Sequence, residues 1–319
     1  MAEADQNHHD HDHDHNHDQG RGHGHADEIH SHSHGHVDGS HSHSHPPGRQ
    51  DDETVADVNR TYFNKTASSY NLESWKDFVN KITAFVHQHI DWIGVDFVDP
   101  SNVFETNNQA DPDPDGQGRR VRVLDYACGP GSMTQALGAR ATEYIGIDLS
   151  ENMVLAYNLR FGPASASHSP LVAEGLEPEP EAEPFNAHAV VGNLLSPSDP
   201  SPQNLSSPEF FEFDLVVVGM AFHHFPNIPL ATRRLVERLR PGGVFLIIDF
   251  VTFAMENHGV QPAAKTVTHH GFSERELRQY FEDAGLSEFA VVRMGEEISL
   301  PGSMKREPFL ARGRKTSLA

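Results

Sequence analysis

Apolar residues at Trp75, Phe78, Val79, Ile82, Phe85 and Val86 recur at intervals of three and four, which places them on one face of an amphipathic helix. From about Arg120 the pattern changes. The apolar runs VRVLDY, EYIGID, HAVVGN, FDLVVVG and VFLIIDF read as strands, and SMTQALGAR, SENMVLAYNLR and a stretch through Leu235, Val236 and Leu239 read as helices between them. Strands and helices in alternation predict an α/β fold, a parallel sheet with helices on both faces.

The punctuation agrees. Ser150 is placed to cap the helix after the second strand, and Arg240-Pro241-Gly242-Gly243 ends the helix before VFLIIDF. Ser273 and Glu276 spell a capping box ahead of the stripe Leu277, Tyr280, Phe281, Ala284, which Gly285 stops. SEFAVVRM and EPFLARGRK close the chain as two further strands.

Composition divides the chain into unequal parts. Residues 1–50 carry almost nothing apolar and predict a disordered His-rich tail. Residues 51–98 form a helical segment, and 99–119, with DPDPDGQG, form a linker. Residues 120–319 are then the core domain, with disordered insertions expected near 162–184, where EPEPEAEP suits neither helix nor strand, and near the Pro- and Ser-rich 196–209.

Charge narrows the function. The formal net charge is −22, and without residues 1–45 there remain 37 acids against 23 bases. A surface of that sign does not displace counterions from phosphates, so a small-molecule substrate is expected and no nucleic acid. Cys128 is the only cysteine, which rules out an intrachain disulfide. No basic-then-apolar leader opens the chain, and the most apolar run, LVVVGMAF, is too short to span a bilayer. A soluble cytoplasmic protein with no membrane span is the expectation.

Fifteen histidines lie between His8 and His45, alternating with Asp in HDHDHNHD and with Ser in HSHSH. Neutral imidazoles beside carboxylates, among them His8, His9, His11, His13, His15 and His17, would bind a divalent metal loosely and without selectivity, because nothing fixes their geometry. A solvated low-complexity tail is the other reading. No metal is expected in the folded domain.

The chemistry concentrates at VRVLDYACGPG, Val121 to Gly131, where a strand enters a glycine turn, and at Asp148, which ends the next strand. Such a turn lets backbone amides approach a ligand closely, and an acid on the second strand can accept from ribose hydroxyls. The glycines do not spell G-x-G-x-x-G. The segment instead resembles the first motif of the class I S-adenosylmethionine-dependent methyltransferases, with Ala127 where that family commonly has Gly. LRPGGVFLIIDF resembles the same family's helix, Pro-Gly-Gly turn and fifth strand, and YFNKTASSYN resembles the lid of its ubiquinone- and menaquinone-biosynthesis-type (methyltransferase type 11) small-molecule group.

The resemblance, over roughly residues 120–315, implies a Rossmann-like, mostly parallel sheet of seven strands with an antiparallel C-terminal hairpin, and S-adenosyl-L-methionine as cofactor. It implies that Asp125, Ala127, Cys128, Gly129 and Gly131 contact the methionine portion, Cys128 as a small packing residue and not a nucleophile. Asp148 would accept both ribose hydroxyls, Leu149 and Met153 would flank the adenine, and Asn193, Leu194 and Gly219 would complete the cofactor site. Asn193 stands where the family usually has an acid. Tyr62 and Tyr70 on the lid, with His269 and His270, are candidates for the substrate pocket, and packing or loop roles are the alternative for each.

Methyl transfer from a sulfonium is an in-line displacement in which the protein's main task is alignment in a water-poor pocket. An acceptor of high pKa gains from a base, and His224 and His223, just past the fourth strand, are the candidates. The function expected is methyl transfer to O, C or N of a small metabolite. The alternative is a degenerate methyltransferase domain serving as a binding protein with a metal-binding tail.

Overall fold

The computed structural model describes residues 52–103, 119–162, 185–254, 265–301 and 304–316. The His-rich tail with His8 to His17, most of the linker and the insertion 163–184 lie outside the described residues.

Seven strands form one sheet: β1 Arg122–Tyr126, β2 Glu143–Asp148, β3 Asn186–Val191, β4 Phe213–Gly219, β5 Leu239–Phe250, β6 Leu286–Arg293 and β9 Pro308–Lys315, in the order β3-β2-β1-β4-β5-β9-β6. β1 to β5 pair in parallel, and β9 pairs antiparallel with both β5 and β6. Between the last two long strands, β7 Ile298–Ser299 and β8 Lys305–Arg306 make a small antiparallel ribbon. The expected hairpin of SEFAVVRM and EPFLARGRK is present, with β9 inserted beside β5.

Side-chain alternation along the central strands builds two cores. Leu215 and Val217 pack into one and Val216 and Val218 into the other, because successive residues of a strand face opposite sides. The first core is covered by α2 (Glu73–Gln88), α5 (Ser132–Leu137) and α6 (Glu151–Phe161), and the second by α7 (Ile228–Glu237) and α8 (Glu274–Asp283). In α2 the predicted stripe is the buried face: Phe78, Ile82, Phe85 and Val86 are all within the first core. Ahead of it stand α1 (Asp52–Thr66) and a 3-10 turn, Ala67–Asn71, and after it the short α3 (Ile90–Ile93) and α4 (Pro100–Val103).

Ser150 accepts from the Met153 amide, and Ser273 with Glu276 forms the complete capping box. Two expectations are corrected. The helix through Leu235 stops at Glu237, and Leu239 pairs with Phe213 at the start of β5. Segment 196–209 is folded rather than a disordered insertion: Leu205 and Phe210 are buried, and the side chains of Arg234 and Arg238 donate to the carbonyls of Leu194, Ser196 and Leu205 at 2.6–2.7 Å. Short 3-10 turns and buried guanidinium donors satisfy a backbone that regular structure leaves open. Among the described residues no helix is long and apolar enough to cross a membrane.

Candidate functional site

The C-terminal ends of β1, β2 and β4 converge on a cavity of about 500 Å³. Small-molecule sites in open parallel sheets form at these strand ends, and the volume is within their usual range. Past Asp125 the chain turns through Ala127 (φ 54), Gly129 (φ 51) and Gly131 (φ 88) before α5 begins. Ala127 is strained there, since the left-handed region costs a side chain on the order of 1 kcal/mol. A Cβ on Gly129 would meet nothing within 4 Å, so its backbone faces open space.

Asp148 ties this turn to α6. Its Oδ2 accepts from the Gly129 amide at 2.8 Å and its Oδ1 from the Ser150 amide at 2.8 Å. Burial pushes its carboxyl up to about 6, with the backbone amides of Ser150, Gly129 and Leu149 opposing. Asp125 is fully buried and accepts from the Thr134 amide (3.2 Å) and hydroxyl (2.9 Å); burial pushes it up to about 7. Cys128 lies against Gly146, where a Cβ would come within 2.8 Å of its Sγ, and burial pushes the thiol well above its ordinary value. A buried thiol of that kind packs and does not attack.

Leu149, Met153, Asn193 and Gly219 also line the cavity. Gly219 leaves room for Met133, which would come within 2.5 Å of a Cβ there. The Asn193 side-chain oxygen accepts from the Leu195 amide at 2.8 Å, which holds the side chain in a local turn. Three predicted positions fall elsewhere. Gly131 does not line the cavity; a Cβ there would sit 2.3 Å from the Phe161 ring, so it lets α5 pack on α6. Leu194 is buried in the second core, its amide donating to the Tyr126 hydroxyl. His269 stacks toward Phe272 outside the cavity, while its neighbour His270 lines it.

The roof is α1, the turn after it and the start of α2, with Tyr62, Phe63, Tyr70 and Trp75 lining the cavity. Tyr70 stacks on Trp75 at 4.4 Å, and Phe63 meets His224 edge-on at 5.2 Å. Asn64 docks this roof on the start of α6: its Oδ1 accepts from the Ser150 hydroxyl and the Asn152 amide, and its Nδ2 donates to Glu151. Arg60 pairs with Glu151 alongside. Elsewhere on the roof Asn59 Nδ2 donates to the His224 carbonyl at 3.1 Å, which ties α1 to the segment after β4.

His223 and His224 follow β4, their rings 4.0 Å apart, and both line the cavity. His224 Nδ1 lies 2.8 Å from the Thr266 carbonyl, so it carries the proton; burial, then His223, push its pKa well below the usual range. His223 Nδ1 lies 2.9 Å from Oδ1 of Asp249, a buried acid near the end of β5 that sequence reasoning missed. Asn59, Ser132, Met220 and Phe250 are further lining residues without a sequence signal. Among the described residues no group of three or more His, Cys, Asp or Glu is arranged to hold a metal ion.

Comparisons with known proteins identify the family. The methyltransferase domain family pattern matches residues 96–289. An uncharacterized methyltransferase of Schizosaccharomyces pombe is 30% identical over 177 residues, which are 54% of this chain and 55% of that protein. The chain thus spans about half the length of the curated relative it matches. Among solved structures, magnesium protoporphyrin IX methyltransferase of Synechocystis PCC 6803 with bound S-adenosylmethionine is 14% identical over 82% of this chain and 97% of that one, with a TM-score of 0.47. A SAM-dependent methyltransferase of Methanosarcina mazei is 16% identical over 66% of this chain and 100% of that one, with a TM-score of 0.44. From the family match across most of its core, the chain belongs to the methyltransferase domain family, that of the class I S-adenosylmethionine-dependent methyltransferases.

Proposed function

We propose that the protein transfers the methyl group of S-adenosyl-L-methionine to a small-molecule acceptor. The observation that carries this reading is that one cavity is lined by the glycine turn and Asp148, by His223, His224 and His270, and by a docked helical roof.

The residues fit the cofactor. Gly129 presents backbone to open space, as close approach of a methionine portion requires. Each Asp148 oxygen accepts one backbone amide, and a carboxylate oxygen has capacity for a second donor, so the acid can also take two adjacent ribose hydroxyls. Leu149 and Met153 offer apolar surface for the adenine. When bound, the cofactor supplies a methyl group on a positively charged sulfur. The chain's contribution is to align an acceptor with it and to exclude water, through Tyr62, Phe63, Tyr70 and Trp75 above and Phe250 and Met220 beside.

Calorimetric titration of the full chain with S-adenosylhomocysteine tests the donor site, and absence of binding overturns the reading. Incubation with methyl-labelled cofactor and a metabolite extract, followed by mass spectrometry, tests the acceptor class. Label appearing only on protein or nucleic acid would contradict a small-molecule acceptor.

A further inference from the structure

A hydroxyl acceptor must lose a proton as its oxygen attacks, and the cavity wall contains a pair of side chains built to receive one. Asp249 is fully buried, and its oxygens accept from the Phe250 amide (2.8 Å), the His223 amide (3.0 Å) and His223 Nδ1 (2.9 and 3.1 Å). The His223 carbonyl in turn accepts from the Thr268 and His269 amides at 3.0 Å and from the Thr268 hydroxyl at 3.0 Å. Backbone and ring are therefore both held. With Nδ1 donating to the carboxylate, Nε2 carries the lone pair, and it is the ring nitrogen left for the cavity that His223 lines.

His224 lacks this support. Its Nδ1 is bound to a neutral carbonyl, and burial disfavours its charged form, so it can accept a hydrogen bond but holds a proton poorly. The other titratable groups around His223 are His224 beside it and His269 and His270 from the segment ahead of α8; none is an acid that could replace Asp249.

A second observation points to a hydroxylated acceptor. Asn59 is 5% exposed and lines the cavity from the roof; its Nδ2 holds the His224 carbonyl while its Oδ1 has no hydrogen-bond donor among the described residues. A buried acceptor atom left without a donor costs about 1–3 kcal/mol, which a ligand hydroxyl would recover. The surrounding wall is aromatic, with the Phe250 ring 5.6 Å from His223.

We infer that His223 is the general base and Asp249 its positioning partner for an aromatic hydroxyl acceptor, so that the reaction is O-methylation. This rests on the methyl-transfer reading above. As the new C–O bond forms, the hydroxyl proton moves to His223 Nε2, and the C–S bond breaks with its electron pair staying on sulfur. The imidazolium left behind is paired with the Asp249 carboxylate. An amine acceptor, already carrying a free lone pair, needs no such base for attack.

The probe is 4-nitrocatechol, whose ionised form has its own visible absorbance band. It is added to the full chain with saturating S-adenosylhomocysteine, in buffer below the free probe's first pKa. Bound probe is expected to show the phenolate band with the native protein. His223→Asn keeps a donor toward Asp249 and removes Nε2, and Asp249→Asn removes the buried charge. In both, the ionised fraction of bound probe is expected to fall at least about tenfold, the loss of one charge-assisted hydrogen bond, with probe affinity falling by no more than the same factor and S-adenosylhomocysteine affinity retained. A merely structural role for Asp249 would move the S-adenosylhomocysteine affinity and leave the ionised fraction of whatever probe binds unchanged. An unchanged band in His223→Asn, or no binding of the probe beside bound S-adenosylhomocysteine, overturns the inference and leaves methyl transfer standing; no binding of S-adenosylhomocysteine overturns both.

Discussion

Asp148→Asn separates the two tasks that Asp148 performs. In the native protein Oδ1 and Oδ2 each accept one backbone amide at 2.8 Å, from Ser150 and Gly129. An asparagine has one oxygen, so either orientation points its NH₂ at a backbone N–H, and one charge-assisted hydrogen bond worth about 1.5–3 kcal/mol is lost. Burial already pushes the carboxyl up to about 6, so the ionised group is held at a desolvation cost that the neutral amide avoids. The stability loss is therefore expected below that range, at about 1 kcal/mol. Cofactor affinity has no such offset: losing one acceptor for the ribose hydroxyls predicts a roughly 10- to 150-fold weaker S-adenosylhomocysteine Kd.

Thermal melts of the free protein and calorimetry with S-adenosylhomocysteine read the two quantities apart. The sign of the pH dependence follows. The carboxylate is the form that accepts from two hydroxyls, so native affinity should weaken as pH falls through about 6, and in Asp148→Asn that dependence should vanish. A variant whose melting point falls while its affinity stays within about twofold of native would falsify the ribose role, since one hydrogen bond is worth more than that.

Gly131→Ala should cost more than about 2 kcal/mol in a denaturant titration, because its Cβ would lie 2.3 Å from the Phe161 ring at a φ of 88; a loss below about 0.5 kcal/mol would show that α5 and α6 separate freely. Burial raises Asp125 to about 7, above its unfolded value near 4, so the folded state holds a proton that the unfolded state releases, and its contribution to stability is lost as pH rises across that window. Asp125→Asn keeps an acceptor for Thr134 and should raise the melting temperature at neutral pH and leave it unchanged in acid; equal shifts at both would contradict burial as the cause. Arg238→Ala removes the donor to the Leu205 carbonyl and the cation over the Phe211 ring and should destabilise by about 1–3 kcal/mol, with proteolysis appearing within 196–210; cleavage elsewhere would refute its role as that segment's anchor.

Local pattern was enough for most of the scaffold. Short apolar runs named the five parallel strands, the three- and four-residue spacing from Trp75 named the buried face of α2, and Ser150 and Ser273 marked helix starts, because these signals act between residues close in sequence. The glycine turn and Asp148 were legible for the same reason: strand, turn and helix follow one another without interruption.

What tertiary structure decided lies between residues far apart. Asp249 meets His223 across 26 positions only because β5 lies beside β4, and Asn64 grips the start of α6 across 87 only because the roof folds back over the turn. The same packing sent Gly131, Leu194 and His269 out of the cavity while leaving Gly129, Asn193 and His270 in it. The sequence alone thus determined a parallel sheet with a ligand turn at its strand ends. Which of two adjacent histidines has a carboxylate behind it was decided by the register of β4 on β5, a contact that no local periodicity encodes.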